Sequence, residues 1–265
     1  AAPGEPEIYR PSGFVNYFRP IPADDIQGAV AAKWAKRLGA KKVFILNDQE
    51  LYGKGIADVF EATAKKIGLA VVANEGIDWK QPDQKPILTK VRASGADLVY
   101  MGGVIETGAQ VIIRQMKDVG LVAPRVRFVG PDGLYEDELL KGATCDAALA
   151  TEMRVTFAGL PFEKMRGAGA KTYETYKAKF SKEPTAYALY AVEAGRVAID
   201  GIRRAAPALD RAKDITEKRE AVRKAIASTK NFDGINGKWN FDENGDVDYD
   251  TMSGFKVVKA DTPIG

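Results

Sequence analysis

Short runs of branched apolar residues alternate along this chain with longer segments whose apolar positions recur every three or four residues. The runs at 43–46, 69–73, 98–101 and 126–129 are bounded by polar or glycine positions and predict strands buried on both faces, as in parallel sheets. Between them the period is helical: Ile26, Val30, Trp34 and Leu38; Ile56, Val59, Phe60, Ala64 and Ile67; Ile87, Leu88 and Val91; then Ala109, Ile112, Ile113, Met116 and Val119. Gly39, Gly68, Gly95 and Gly120 fall where those helices should stop. Strands alternating with helices through short links predict an α/β chain with a doubly wound parallel sheet and right-handed crossovers. After about Ala158 the texture changes to long helical stretches at 164–180, 186–205 and 215–227, and strand patterns return only at 237–241 and 254–258. Helices with one amphipathic face and few strands of their own must pack on a sheet from elsewhere.

In an open parallel sheet, the loops leaving the carboxyl ends of the strands line one crevice, where ligands bind. Here those loops are Asp48-Gln49-Glu50-Leu51-Tyr52-Gly53-Lys54-Gly55, Gly102-Gly103-Val104-Ile105-Glu106-Thr107-Gly108 and Gly130-Pro131-Asp132-Gly133-Leu134-Tyr135. They bring carboxylates, hydroxyls, aromatic faces and loop amides, and nothing evidently catalytic.

Composition narrows the chemistry. With 265 residues and 45% hydrophobic content the chain can bury one large core or two modest ones. No apolar run reaches the roughly 18 residues that a membrane span needs, and the first residues carry no charged-then-apolar leader pattern. The net charge of +3 is small and its lysines are scattered among acids, so neither nucleic acid nor an anionic membrane surface is implied as a partner. Cys145 is the sole cysteine, so there is no intrachain disulfide and no thiolate metal cluster. The absence of histidine removes the commonest general base and imidazole metal ligand. No cofactor and no metal is expected.

Tyr52-Gly53-Lys54-Gly55, Val99-Tyr100-Met101-Gly102-Gly103, Val129-Gly130-Pro131-Asp132-Gly133 and the terminal 237–246 stretch beginning Gly237-Lys238-Trp239 occur in the order seen in bacterial leucine/isoleucine/valine-binding proteins. From Ile8 to Lys259 the chain resembles these solute-binding components of ATP-driven importers. The resemblance implies a type I periplasmic binding protein, with two Rossmann-like lobes of parallel sheet that close on a ligand. It also implies that the first lobe is incomplete, about a hundred residues short by ordinary lobe size. Residues 20–156 and 254–265 would form the second ligand-binding lobe, and 1–19 and 157–253 a remnant of the first. By the same resemblance the protein is extracytoplasmic and monomeric, is not an enzyme, and hands a small amino acid or related carboxylate to an ABC permease.

Asp132 matches the acidic position that receives the ligand ammonium, and a carboxylate at a strand end suits that charge-assisted bond. Pro-Asp-Gly is also a common turn in which the aspartate bonds its own backbone. Tyr52 matches a tyrosine whose ring and hydroxyl face the ligand, just ahead of a helix beginning near Lys54; the alternative is a surface tyrosine covering a helix start. Val104 stands where the family carries a second tyrosine, which suits a bulkier or more apolar ligand. Gly103, with Gly102, allows close backbone approach or simply a tight turn. Thr185 and Tyr187 fall in the segment that lends an aromatic wall in the family. Glu106 and Thr107 read as helix capping, and Tyr173, Tyr176 and Phe180 as core or helix packing.

The acidic run from Asp242 to Asp248 has its glycine misplaced for a calcium loop, and Asn244-Gly245 between strand patterns signals a hairpin turn. Two rival functions share the fold class. One is a nucleotide-dependent Rossmann-type enzyme using Gly53-Lys54-Gly55 or Gly102-Gly103, although Asp58 stands where the third glycine of the fingerprint belongs. The other is the ligand-sensing domain of a receptor or regulator.

Overall fold

The computed structural model describes residues 15–136, 139, 141–185 and 187–258; the parts of the lobe expectation at 1–14, 137, 138, 140, 186 and 259–265 lie outside them. In chain order the elements are α1 (Asp24–Arg37), β1 (Lys42–Asn47), α2 (Leu51–Lys66), β2 (Ala70–Gly76), α3 (Lys85–Ser94), β3 (Leu98–Gly102), α4 (Ala109–Asp118), β4 (Arg127–Gly130), α5 (Gly142–Ala150) and β5 (Arg154–Ala158). There follow α6 (Ala168–Phe180), α7 (Ala188–Leu209), α8 (Ile215–Ala227), β6 (Phe232–Gly234), β7 (Gly237–Trp239) and β8 (Met252–Lys256). They fall into two compact units, one covering 24–158 and 252–258, the other 15–23 and 159–251.

The first unit is built on a six-stranded sheet in the order β2-β1-β3-β4-β5-β8. Its first five strands pair parallel, and β8 closes the edge antiparallel to β5. The strands β1, β3 and β4 are buried as their apolar runs predict, whereas β2 alternates between exposed and half-buried positions because it is the edge strand. All four glycines expected at helix ends have positive φ, from 69° to 86°. The strand β5 and helix α5 were not among the predicted elements: α5 carries no apolar periodicity, being rich in alanine, and β5 begins with Arg154 and is interrupted by Thr156.

Helix α1 buries a different face from the one its large residues predict. The buried positions are Gln27, Gly28, Ala31, Ala32 and Ala35, with Ile26, Val30, Trp34 and Leu38 at the flanks. The cause is close approach: a Cβ at Gly28 would stand 2.9 Å from Val59 Cγ1 and 3.0 Å from the Ile56 carbonyl oxygen on α2. Gln27 tolerates burial because its amide donates to both the Thr156 carbonyl and hydroxyl at 3.1 Å. Trp34 covers Gly254 of β8, where a Cβ would meet the indole at 2.6 Å.

The second unit holds α6, α7, α8 and the antiparallel β6-β7 pair, with Trp239, Phe241, Val247 and Val197 at the centre of its core. Glu193 of α7 is fully buried there and accepts from the Trp239 indole at 2.9 Å and the Ile235 amide at 2.8 Å. Burial outweighs those bonds and the nearby Arg196, and pushes the Glu193 carboxyl above the ordinary range. The acidic run forms a turn: Gly245 has φ +80°, Asp242 accepts from the amides of Asn244 and Asp246, and Phe241 bridges Val247 antiparallel. Arg19 pairs with Asp246 at 2.9 Å. Tyr173 and Tyr176 make helix-surface contacts, with Phe162 at 5.5 Å and Phe180 at 4.6 Å between ring centroids, and Phe180 is half exposed rather than core.

Gly28→Ala overpacks the α1–α2 contact and should cost about 1–3 kcal/mol in equilibrium urea unfolding. Glu193→Ala strands the buried indole and amide donors and should cost about 3 kcal/mol. Because the Glu193 pKa is raised on folding, its contribution favours the folded state at low pH and is lost as pH rises through the folded value. Urea midpoints of Glu193→Gln should therefore fall less than those of wild type across that rise; identical slopes would contradict an ionising buried carboxyl.

Candidate functional site

The strand order β2-β1-β3-β4 reverses direction between β1 and β3, and at such a switch point the loops at the carboxyl ends diverge to leave room for a ligand. Asp48 leaves β1 there, buried to 2% exposure. Its Oδ1 accepts from the Glu50 amide at 3.0 Å and its Oδ2 from the Thr107 hydroxyl at 2.6 Å, while its own amide donates to the Gly102 carbonyl at 3.1 Å. One side chain thus fastens the β1 loop to the β3 loop. Thr107 also accepts from the Val104 amide at 3.1 Å, which is the capping role read from sequence.

The glycines of these loops are required by close approach to the protein's own atoms. A Cβ at Gly53 would lie 2.1 Å from Asp48 Oδ1, one at Gly102 would lie 2.1 Å from the Gly53 carbonyl oxygen, and one at Gly103 would lie 3.1 Å from Asp48 Oδ2. Gly53 is therefore taken up by Asp48, and a carboxylate occupies the position beside the α2 N-terminus where a phosphate would have to sit. That disfavours the nucleotide reading of Gly53-Lys54-Gly55. Lys54 itself forms an exposed pair with Asp58 at 2.5 Å.

The third loop joins them. After β4, Asp132, Gly133 and Leu134 form a short 3-10 turn in which the Tyr135 amide donates to the Asp132 carbonyl at 2.8 Å. Leu134 is buried, and the Tyr135 ring packs against Phe157 and Phe255 at 4.8 and 4.7 Å. The turn lies directly against its neighbours: a Cβ at Gly133 would stand 2.7 Å from the Gly103 carbonyl oxygen, 2.8 Å from Val104 Cγ1 and 3.2 Å from Tyr52 Cε1. Across this junction the Tyr52 hydroxyl donates to Asp132 Oδ1 at 2.6 Å. Helix α2 begins at Leu51, so Tyr52 is in its first turn rather than ahead of it.

Four of the sequence-derived candidates, Tyr52, Gly103, Val104 and Asp132, thus come together at one end of the first unit's sheet. Thr185 and Tyr187 lie in the second unit, exposed, with Tyr187 at the N-cap of α7. Asp48, without an assigned role in the sequence, joins the cluster, and its signal was an aspartate placed directly after a buried strand with an amide two residues on to bind. Tyr100 lies in the core of the same unit: fully buried on β3, it stacks on Phe60 at 3.9 Å, and its hydroxyl has no hydrogen-bond partner among the described residues. Burial, with the negative charges of Asp132 and Asp24, pushes the Tyr100 hydroxyl far above the ordinary tyrosine range.

The chemistry on offer is a carboxylate on Asp132 held at a strand end, an aromatic ring, a branched aliphatic side chain and loop backbone. A carboxylate has about four lone-pair sites, so the bond from Tyr52 leaves Asp132 acceptor capacity. This arrangement suits a small ligand with a cationic donor and an apolar part.

Comparison with known proteins places the fold in a family. A family model described as periplasmic binding protein matches residues 6–261. A Pseudomonas aeruginosa protein named amino acid binding protein is 41% identical over 128 residues, 48% of this chain and 33% of its own length. The leucine-, isoleucine-, valine-, threonine-, and alanine-binding protein of the same organism is 33% identical over 239 residues, 89% of this chain and 58% of its own. The crystal structure of a leucine binding protein, LivK, from Thermotoga maritima superposes with a TM-score of 0.76 at 26% identity, covering 89% of this chain and 63% of that one. The chain therefore spans less than two thirds of the length of each of these relatives. Among the described residues no helix is long and apolar enough to cross a membrane. With a family model covering nearly its whole length and the mainly parallel α/β fold that goes with it, the chain belongs to the periplasmic binding protein family.

Proposed function

We propose that this protein is an extracytoplasmic solute-binding component of an ABC importer that captures a small, apolar amino acid of the branched-chain type and delivers it to a membrane permease, acting as a monomer and catalysing no reaction. The observation that carries the reading is the Asp132 carboxylate, anchored by Tyr52 at the carboxyl ends of β1, β3 and β4 and flanked by Val104. An α-ammonium on Asp132 makes a charge-assisted hydrogen bond. Val104 and the Tyr52 ring offer apolar surface to an aliphatic tail, whose burial is worth roughly 25 cal/mol per Å². The names of the amino-acid-binding relatives support the ligand class.

The receptor-domain and enzyme readings have less behind them. Asp48 beside the first turn of α2 opposes the phosphate that a nucleotide-dependent enzyme would bind there.

Asp132→Ala should weaken binding of ammonium-bearing ligands by about 2–4 kcal/mol, a loss of roughly 30- to 1,000-fold, through removal of a desolvated charged hydrogen bond. The check is calorimetric titration of leucine, valine and phenylalanine, and of their deaminated carboxylate analogues, into protein that has been unfolded and refolded to strip carried-over ligand. Selective binding of the amino acids is expected. Preference for the deaminated analogues, or an Asp132→Ala affinity equal to that of wild type, would remove Asp132 from its role.

A further inference from the structure

The phenol of Tyr52 has a single hydroxyl hydrogen, and the structure spends it on Asp132. The 2.6 Å separation is the short distance typical of a hydroxyl donating to a carboxylate. A hydrogen engaged there cannot also be donated to a ligand carboxylate, so direct capture of a ligand acid group is not what this hydroxyl is placed to do. The contact is also built rather than incidental. Tyr52 is fixed by the first turn of α2 and Asp132 by the 3-10 turn after β4, elements that are 80 residues apart in sequence. Gly133 permits the approach, since any side chain there would meet the Tyr52 ring edge at 3.2 Å and Val104 at 2.8 Å.

We infer that Tyr52 is a positioning residue whose hydroxyl orients the Asp132 carboxylate toward the ligand ammonium, so that ammonium recognition belongs to the Tyr52–Asp132 pair and not to Asp132 alone. The physical basis is preorganisation: a donor on one oxygen holds a half-buried aspartate in one orientation before the ligand arrives, which lowers the entropy lost on binding. The inference rests on the reading of Asp132 as the ammonium acceptor.

A double-mutant cycle in the whole, ligand-stripped protein tests the two separately. Leucine is titrated calorimetrically into wild type, Tyr52→Phe, Asp132→Asn and the double variant, with thermal melts confirming that each folds. Tyr52→Phe keeps the ring and removes only the hydroxyl, and it should weaken leucine roughly 10- to 150-fold, the scale of a hydrogen bond to a charged group. In the Asp132→Asn background the same change should alter leucine affinity by no more than about twofold, because the amide oxygen that remains carries no charge for the hydroxyl to direct at the ammonium. A ring contact or a general packing role would instead persist in both backgrounds, and that additive result would overturn the inference. So would a Tyr52→Phe affinity equal to that of wild type. If Asp132→Asn binds leucine as wild type does, it is the underlying assignment of Asp132 that fails. With 4-methylpentanoate, which lacks the ammonium, Tyr52→Phe should match wild type within about twofold, and an equal loss for both ligands would again overturn the inference.

Discussion

The candidate site depends on one buried carboxylate. Asp48 sits where β1 ends, almost without solvent, and its two oxygens hold the amide of Glu50 and the hydroxyl of Thr107. That draws the β1 and β3 loops together until only glycine fits at 53 and 102. With those loops fixed, Tyr52 begins its helix in reach of the β4 turn, and Asp132 is met by a donor from another strand's loop. Asp48 needs no basic partner for this, since two charge-assisted hydrogen bonds offset part of the cost of burying the charge. The ligand would then meet groups that are already ordered, which is where affinity is gained without further ordering cost.

Much of the first unit could be read from its apolar periodicity. The four predicted strands, the helices between them and the glycines that end those helices all correspond to observed elements. The apolar pattern was least informative where packing is governed by small residues. In α1 the buried face is alanine and glycine, and the large side chains that set the apparent stripe lie at its margins. The alanine-rich α5 has no stripe to detect. Edge position, invisible to a run of apolar letters, left β2 half exposed.

The site divides in the same way. Asp132, Tyr52, Val104 and Gly103 were legible because each follows a buried strand and because the motif order resembles a known family. The pairing of Tyr52 with Asp132 was not, since it joins residues that only the sheet order brings together. Asp48 was visible as a loop residue but not as a fastener, because its partners are an amide and a threonine beyond the next strand. In the second unit Glu193 reads as an ordinary helix acid, and only the fold reveals that it is buried against Trp239.

The most direct measurement is a crystal structure of the refolded, ligand-free protein after soaking with leucine. The account predicts the leucine nitrogen within hydrogen-bond distance of the Asp132 carboxylate, with Tyr52 still donating to Asp132 and the aliphatic tail against Val104. Leucine bound with its nitrogen away from Asp132, or bound elsewhere on the molecule, would contradict it.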